Sequence, residues 1–202
     1  MVAQMVAPLL GFVALPWLAR QRDKKPLMIW LSVASIAANS GPVALHTLGW
    51  FASPGSPVLF PLMFVIGALQ VVLLVMTSTL GSSMLADVVE SREVVTGRRE
   101  EASLVAFQTL VFKATSGLGA FFGGLVLEYI AFPLQAAPGD VPPEVLFDLA
   151  LIYGPLMIVL TLVSIGVLFF YRIDRVTHQA NLEILSRREE RRRATAGGVA
   201  GE

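Results

Sequence analysis

Apolar residues fill five long stretches of this chain, and polar or charged residues gather in the breaks between them. The stretches are 2–19, 27–48, 58–86, 102–132 and 146–171. Each is hydrophobic on all sides, with no polar face of the kind that a surface helix of a soluble fold carries. The segment from Pro26 to Ala86 contains no Asp, Glu, Lys or Arg. A helix needs roughly 20 apolar residues to cross a hydrocarbon core about 30 Å thick. That segment is too long for one crossing and fits two, with a turn in His46–Pro57, where Gly, Pro and Ser collect. The pattern predicts an all-α, polytopic membrane helix bundle of about five transmembrane helices. A buried helical core in a soluble protein would not run uncharged for so long.

Composition agrees. Of 202 residues, 55% are hydrophobic and 15% charged, and the mean hydropathy is +0.70. Soluble domains carry about a quarter charged residues. Fifteen basic residues balance fifteen acidic ones, so no basic excess points to nucleic acid. The absence of cysteine excludes disulfides and thiolate metal sites. His46 and His178 are far apart in sequence and suggest no metal constellation. With no His, Cys or paired-acid set within the spans, an enzyme is not expected.

The placement of charge is more informative. Fourteen of the fifteen basic residues follow the first, third or fifth stretch, which puts them on one side of the membrane. The loops on the other side carry Glu128, Asp140, Glu144 and Asp148 and no Lys or Arg. The positive-inside rule makes the basic side, and with it the C-terminus, cytoplasmic. Met1 opens almost directly into an apolar stretch without a basic leader, so the chain reads as the back part of a longer membrane protein. Beyond the last span, 172–202 is expected to be a basic tail, helical and then disordered from Thr195. Ile173, Val176, Ala180 and Ile184 recur at helical spacing, and Glu183–Arg187 and Glu189–Arg193 are supportive i,i+4 pairs. Such a segment can lie against anionic headgroups.

Lys113 is the one basic residue off that side. It lies twelve residues beyond Glu101, hence about 18 Å into the fourth span. A lysine near the midplane costs about 2.5–3.5 kcal/mol, so it faces a cavity or a partner. Glu128 is roughly 22 Å farther along the same helix and is no partner. Thr109, Ser116 and Gly117 share the face of Lys113, with Gln108 one step aside. Ser35, Asn39, Pro42 and His46 form a stripe in the second span, and Gln70 and Thr77 lie seven apart in the third. These hydroxyls and amides can line a solute cavity or bond helix to helix. Gly119 and Gly123 form a small-xxx-small pair suited to close helix packing. The loop Asp87–Glu101 mixes both charge signs. Asp87 and Glu90 are expected at a helix C-terminus, where the macrodipole calls for cations, and Arg92, Arg98 and Arg99 are at hand for a latch. Thr96–Gly97 marks the turn.

Several motifs carry a resemblance. They are Met84-Leu85-Ala86-Asp87, Thr96-Gly97-Arg98-Arg99-Glu100-Glu101, Gln108-Thr109 followed by Lys113, and the basic loop Ala19–Pro26. Pro138–Pro142 and Tyr171–Asp174 add to it. Through them the chain resembles the glycoside–pentoside–hexuronide cation symporters, the melibiose-permease-like branch of the major facilitator superfamily, up to about Glu183. Ala102 and Asp23 stand where that family commonly has glycine. Family members have twelve spans, and this chain is similar to roughly the eighth to the twelfth. The resemblance implies the C-terminal portion of a cation-coupled secondary active transporter for a sugar, glycoside or similar small solute, working by alternating access. It places Lys113 at the cavity beside the substrate and cation sites, and the polar positions Gln108, Thr109, Ser116, Asn39, Gln70 and Thr77 are the candidates for further lining. It places Asp87, Arg98 and Arg99 at a cytoplasmic gate, and Glu90 of the same mixed-charge loop is a further candidate there. It implies a coupling ion such as sodium or a proton and no other cofactor. The implied partners are the bilayer, an N-terminal half and a small solute, and the setting is a bacterial cytoplasmic membrane. The alternatives are a truncated, non-transporting scaffold or a lipid or amphiphile transporter of the same fold.

Overall fold

The computed structural model describes residues 2–19, 22–51, 56–133, 135–137 and 139–199, with side chains left out of account at 2–6 and 192–199. Six helices follow one another: α1 (Val2–Ala19), α2 (Lys24–Thr47), α3 (Leu59–Thr96), α4 (Glu101–Tyr129), α5 (Pro143–Leu168) and α6 (Arg175–Val199). Among the described residues four helices, α2 to α5, are long and apolar enough to cross a membrane. The apolar part of α1 counted among them, Ala7–Ala19, falls short of that length. The expected turn after the second span begins at Gly49, whose φ of 72° suits a residue without a Cβ. Residues 52–55 of that turn lie outside the description.

The third helix departs most from expectation. It does not stop at Ala86 but runs 38 residues to Thr96, about 57 Å, and ends on Gly97 in the left-handed conformation. Charge ends a membrane span because hydrocarbon excludes it. It does not end a helix, which propagates cheaply through Val, Glu and Arg. Asp87 and Glu90 therefore lie well inside α3, and the expected macrodipole argument for their partners does not apply. The tail differs in the same direction. The expected disorder from Thr195 gives way to helix through Val199, and residues 200–202 lie outside the description.

The core forms where α1 and α2 pack on α3. Leu15, Leu27, Leu31, Ala38, Leu73, Met76, Leu80 and Met84 make one cluster. Ala7, Gly11 and Leu15, four residues apart, form the buried stripe of α1. A Cβ at Gly11 would stand 3.1 Å from the Val72 carbonyl oxygen and 3.3 Å from the Val75 side chain. Glycine there lets the two backbones approach. Gly11→Leu should push α1 off α3. The expected result is a clear loss of thermal stability and of detergent-solubilised yield, with Gly11→Ala much milder.

Between α2 and α3 the tie is polar. Pro42 lacks the N–H that would bond the Ala38 carbonyl four residues back. Gln70 Nε2 donates to that carbonyl at 2.9 Å. The proline creates the orphan acceptor, and the glutamine on the next helix satisfies it. Tyr153 Oη of α5 donates to Asn39 Oδ1 of α2 at 2.5 Å. The fourth helix is set apart. None of its residues is buried, and it meets the bundle chiefly through α3. The small-xxx-small pair Gly119 and Gly123 has nothing within 4 Å of where a Cβ would be. The close packing expected of that pair is thus not made within the described chain, and the glycine that is closely packed is Gly11.

Candidate functional site

Side-chain chemistry concentrates at the end of the bundle where the basic segments meet. Asp87, 3% exposed, is its centre. Lys24, at the start of α2, donates from Nζ to both Asp87 carboxylate oxygens at 2.7 Å. Tyr171, just past α5, donates its hydroxyl to Asp87 Oδ2 at 2.7 Å. His178 of α6 brings Nδ1 to 3.3 Å from Asp87 Oδ1 and 3.1 Å from Glu90 Oε2. One buried carboxylate thus joins α2, α3, the segment after α5 and α6. Burial, and then the hydrogen bond to Asp87, hold the Tyr171 phenol well above its ordinary pKa, so it remains a donor.

The surroundings fasten the same elements. Lys25 Nζ donates to the Phe169 and Tyr171 carbonyls at 3.2 and 3.1 Å and stands 5.2 Å from the centre of the Phe169 ring. It thereby satisfies carbonyls past the C-terminus of α5. Arg175 donates to the Ala19 carbonyl, where α1 ends, and to the Arg22 carbonyl, and its Nε is 3.4 Å from Asp23. Asp174 caps α6 by accepting the Thr177 N–H at 2.8 Å, and hydrogen bonding to Thr177 holds its carboxyl below the usual range.

Ion pairing departs from the expected latch. Arg99 pairs with Glu101 at 3.0 Å, which raises the arginine's pKa, and Arg92 pairs with Glu100 at 3.1 Å. Arg98 makes no ion pair among the described residues. Asp87 lies within α3, Arg98 and Arg99 lie beyond its end, and Arg92 pairs with Glu100, so the partners of Asp87 come from α2, α6 and the segment after α5. Lys24, Tyr171 and His178 were not singled out as its partners. The spacing Asp87–Glu90 puts both acids on one face of a helix, and that was the only local signal. Nothing local pointed to the histidine of α6.

The expected cavity residues fall into three groups. Gln70 and Asn39 are engaged in the ties to α2 and α5 described above. Thr77 donates to the Leu73 and Leu74 carbonyls of its own helix, and Thr109 to the Val105 carbonyl of its own. Lys113, Gln108 and Ser116 lie exposed on α4 with no hydrogen bond to any described residue. The structure does not bring these α4 residues to Asn39 and Gln70. In α6 the Glu183–Arg187 pair forms at 2.6 Å, while the side chain of Arg193 lies outside the description. The face of α6 turned inward is His178, Asn181 and Leu185, and Val176, Ala180 and Ile184 are exposed.

Asp87, Glu90 and His178 are the described group whose candidate ligand atoms lie within 4.8 Å of one another. The Lys24 ammonium already holds both Asp87 oxygens and serves as the cation there. The ties from Lys24 and Tyr171 to Asp87 are charge-assisted hydrogen bonds, which join α2 and the segment after α5 to α3 without a covalent link.

Comparison with known proteins agrees with a transporter architecture. A family model described as MFS/sugar transport protein matches residues 1–175. An uncharacterized symporter from Synechocystis sp. is 28% identical over 177 residues, covering 86% of this chain and 30% of that protein. The chain therefore spans about a third of the length of the curated relative it matches. With most of its length matched, and with apolar helices long enough to cross a membrane, this chain belongs to the MFS/sugar transport protein family.

Proposed function

We propose that the chain supplies C-terminal helices of a cation-coupled symporter for a sugar, glycoside or similar small solute. The observation that carries this reading is the match to the sugar-transport family over residues 1–175. The printed name of the Synechocystis relative supports symport. In such a protein two helix bundles rock about a midplane site. Lys113 would stand in that site, without an ion pair among the described residues and about 18 Å from the start of α4. The Lys24–Asp87–Tyr171 cluster would tie the helices at the cytoplasmic end. Uptake by the full-length protein in proteoliposomes, against a panel of sugars and glycosides, tests the reading. Accumulation driven by an imposed sodium or proton gradient is expected. No accumulation under either gradient would refute coupled transport.

Sidedness gives a second test. The basic end is expected in the cytoplasm of a bacterial inner membrane. A reporter at Gly139, in the loop between α4 and α5, should be external, and a C-terminal reporter internal. Gly55, the other loop position suited to a reporter, lies outside the described residues. Finding Gly139 and the C-terminus on the same side would overturn this topology.

A further inference from the structure

We infer that Gly41–Pro42 of α2 and Gly154–Pro155 of α5 form a paired hinge. On it the ends of the two helices away from the Asp87 cluster bend together, and Gln70 of α3 is the strut of the straight form. The inference concerns the helices alone and rests on no solute or coupling ion. It begins with two matching dipeptides, each with its proline inside a helix. Each proline lacks the N–H for the carbonyl four residues back, Ala38 in α2 and Leu151 in α5, and so leaves one turn of helix short of a bond. Sharp helix bends occur at such sites. Neither glycine has anything within 4 Å of where a Cβ would be, so close packing does not call for glycine at either place.

The two weak turns lie at one level of the bundle. Lys25 of α2 donates to the Tyr171 carbonyl just past α5. Counted along the chain from that contact, Pro42 is 17 residues away and Pro155 is 16. At 1.5 Å per residue both stand roughly 25 Å from it. Asn39 lies inside the weak turn of α2 and Tyr153 inside that of α5, and the 2.5 Å hydrogen bond between them pins one turn to the other. Gln70 holds the Ala38 carbonyl from α3 at 2.9 Å. Ser40 Oγ, in the same turn, is buried with no hydrogen-bond partner among the described residues, so the straight form carries an unmet polar atom there.

Packing divides α2 at the same point. Its buried residues are Leu27, Leu31, Ala38 and Ser40, and from Gly41 to Thr47 none is buried within the described chain. Leu45 and Leu48 are exposed, and Thr47 turns its hydroxyl back to the Ala44 carbonyl of its own helix. Toward the basic end both helices are fastened. Lys24 ties α2 to Asp87, and Tyr171 ties the end of α5 to Asp87 and, through its carbonyl, to Lys25. A bend at the prolines moves the far ends of α2 and α5 and leaves the Asp87 cluster whole, so the two ends of the bundle can open independently.

The chain contains no cysteine, so spin labels can be placed cleanly. Leu45→Cys on α2 and Leu146→Cys on α5 are each paired with Phe60→Cys on α3, all three being exposed positions outside the hinge. The measurement is the label-to-label distance distribution by double electron–electron resonance, on the full-length protein in lipid nanodiscs with any other cysteine removed. Both pairs should show a straight and a bent population in the same ratio. Gln70→Leu should raise the bent-to-straight ratio about fivefold, the worth of one neutral hydrogen bond. Pro42→Ala, which restores the helical N–H, should lower the ratio in both pairs. Tyr153→Phe, which removes the pin, should let the two pairs report different ratios. A single distribution, the same in the parent, Gln70→Leu and Pro42→Ala, would overturn the hinge. So would a response to Gln70→Leu confined to the α2 pair, since the helices would then not bend together. Should Gln70→Leu fail to fold, Pro42→Ala decides alone, and distributions identical to the parent's would sink the proposal.

Discussion

Lys113→Leu in the full-length protein is expected to insert and accumulate at least as well as the parent while losing uptake by a factor of ten or more. Insertion should improve because an ammonium near the bilayer midplane costs about 2.5–3.5 kcal/mol, and leucine removes that cost. Nothing within the chain should be lost in exchange, since Lys113 is exposed on α4 and makes no ion pair or hydrogen bond with any described residue. Uptake should fall because the proposed solute cavity loses its fixed positive charge. Lys113→Arg should recover only part of the activity, since a planar, forked guanidinium does not replace a compact ammonium in a shaped site. Membrane yield, solute binding and uptake measured side by side decide the matter. Normal uptake by Lys113→Leu would remove Lys113 from the transport site.

Asp87→Ala should be the most destabilising single change at the basic end. It removes the shared acceptor of Lys24 and Tyr171 and one of two carboxylates facing His178. Breaking one side of a buried ion pair costs about 3–5 kcal/mol, and the lower end applies because Lys24 keeps 30% of its side chain exposed. Lys24→Met should be milder, because Tyr171 still donates to Asp87. A double-mutant cycle between positions 24 and 87, read as thermal stability in detergent, should show coupling of about 1–3 kcal/mol. The same cycle between 87 and 98 should be additive, since Arg98 and Asp87 share no contact. Coupling of Asp87 to Arg98 in place of Lys24 would mean that the tie seen here is not the one that holds in the membrane. If the cluster closes the cytoplasmic end, the same variants should also change uptake by more than their loss of yield explains.

Gln70→Leu separates an architectural residue from a solute-binding one. Pro42 leaves the Ala38 carbonyl without its helical partner, and Gln70 supplies the replacement. Removing the amide should cost about 1–3 kcal/mol of stability, as for any buried acceptor left alone. Pro42→Ala, which restores the helical N–H, should recover much of it. Loss of uptake at unchanged stability would instead put Gln70 in the cavity.

Much of the architecture follows from sequence alone because the bilayer is a strict solvent. Hydrocarbon excludes charge, so the uncharged run from Pro26 to Ala86 shows that two crossings lie there, and a lone Lys113 stands out without any alignment. Glycine alone tolerates positive φ at low cost, so Thr96–Gly97 is legible as a helix stop. The resemblance carried by Asp87 and Thr96–Glu101 reached the family that the match over residues 1–175 shows. What the sequence did not determine is who meets whom across helices. The end of a span is not the end of α3, because solvent sets the first and backbone hydrogen bonding sets the second. Sequence proximity points Asp87 to Arg98 and Arg99, whereas Lys24 and His178, which it meets, lie 63 and 91 positions away from it in the chain. Gln70 and Asn39 read equally well as cavity lining or helix ties, and only the approach of α3 and α5 to α2 showed the bonds they make. The apolar stripe Val176, Ala180, Ile184 is legible on α6, but His178, Asn181 and Leu185 turn inward, because the end of α3 that they meet carries Asp87 and Glu90, which match a histidine and not an apolar stripe. Hydrophobic burial is nearly independent of direction and can be read one segment at a time. Charge pairing within a bundle depends on distances that only the packed helices set.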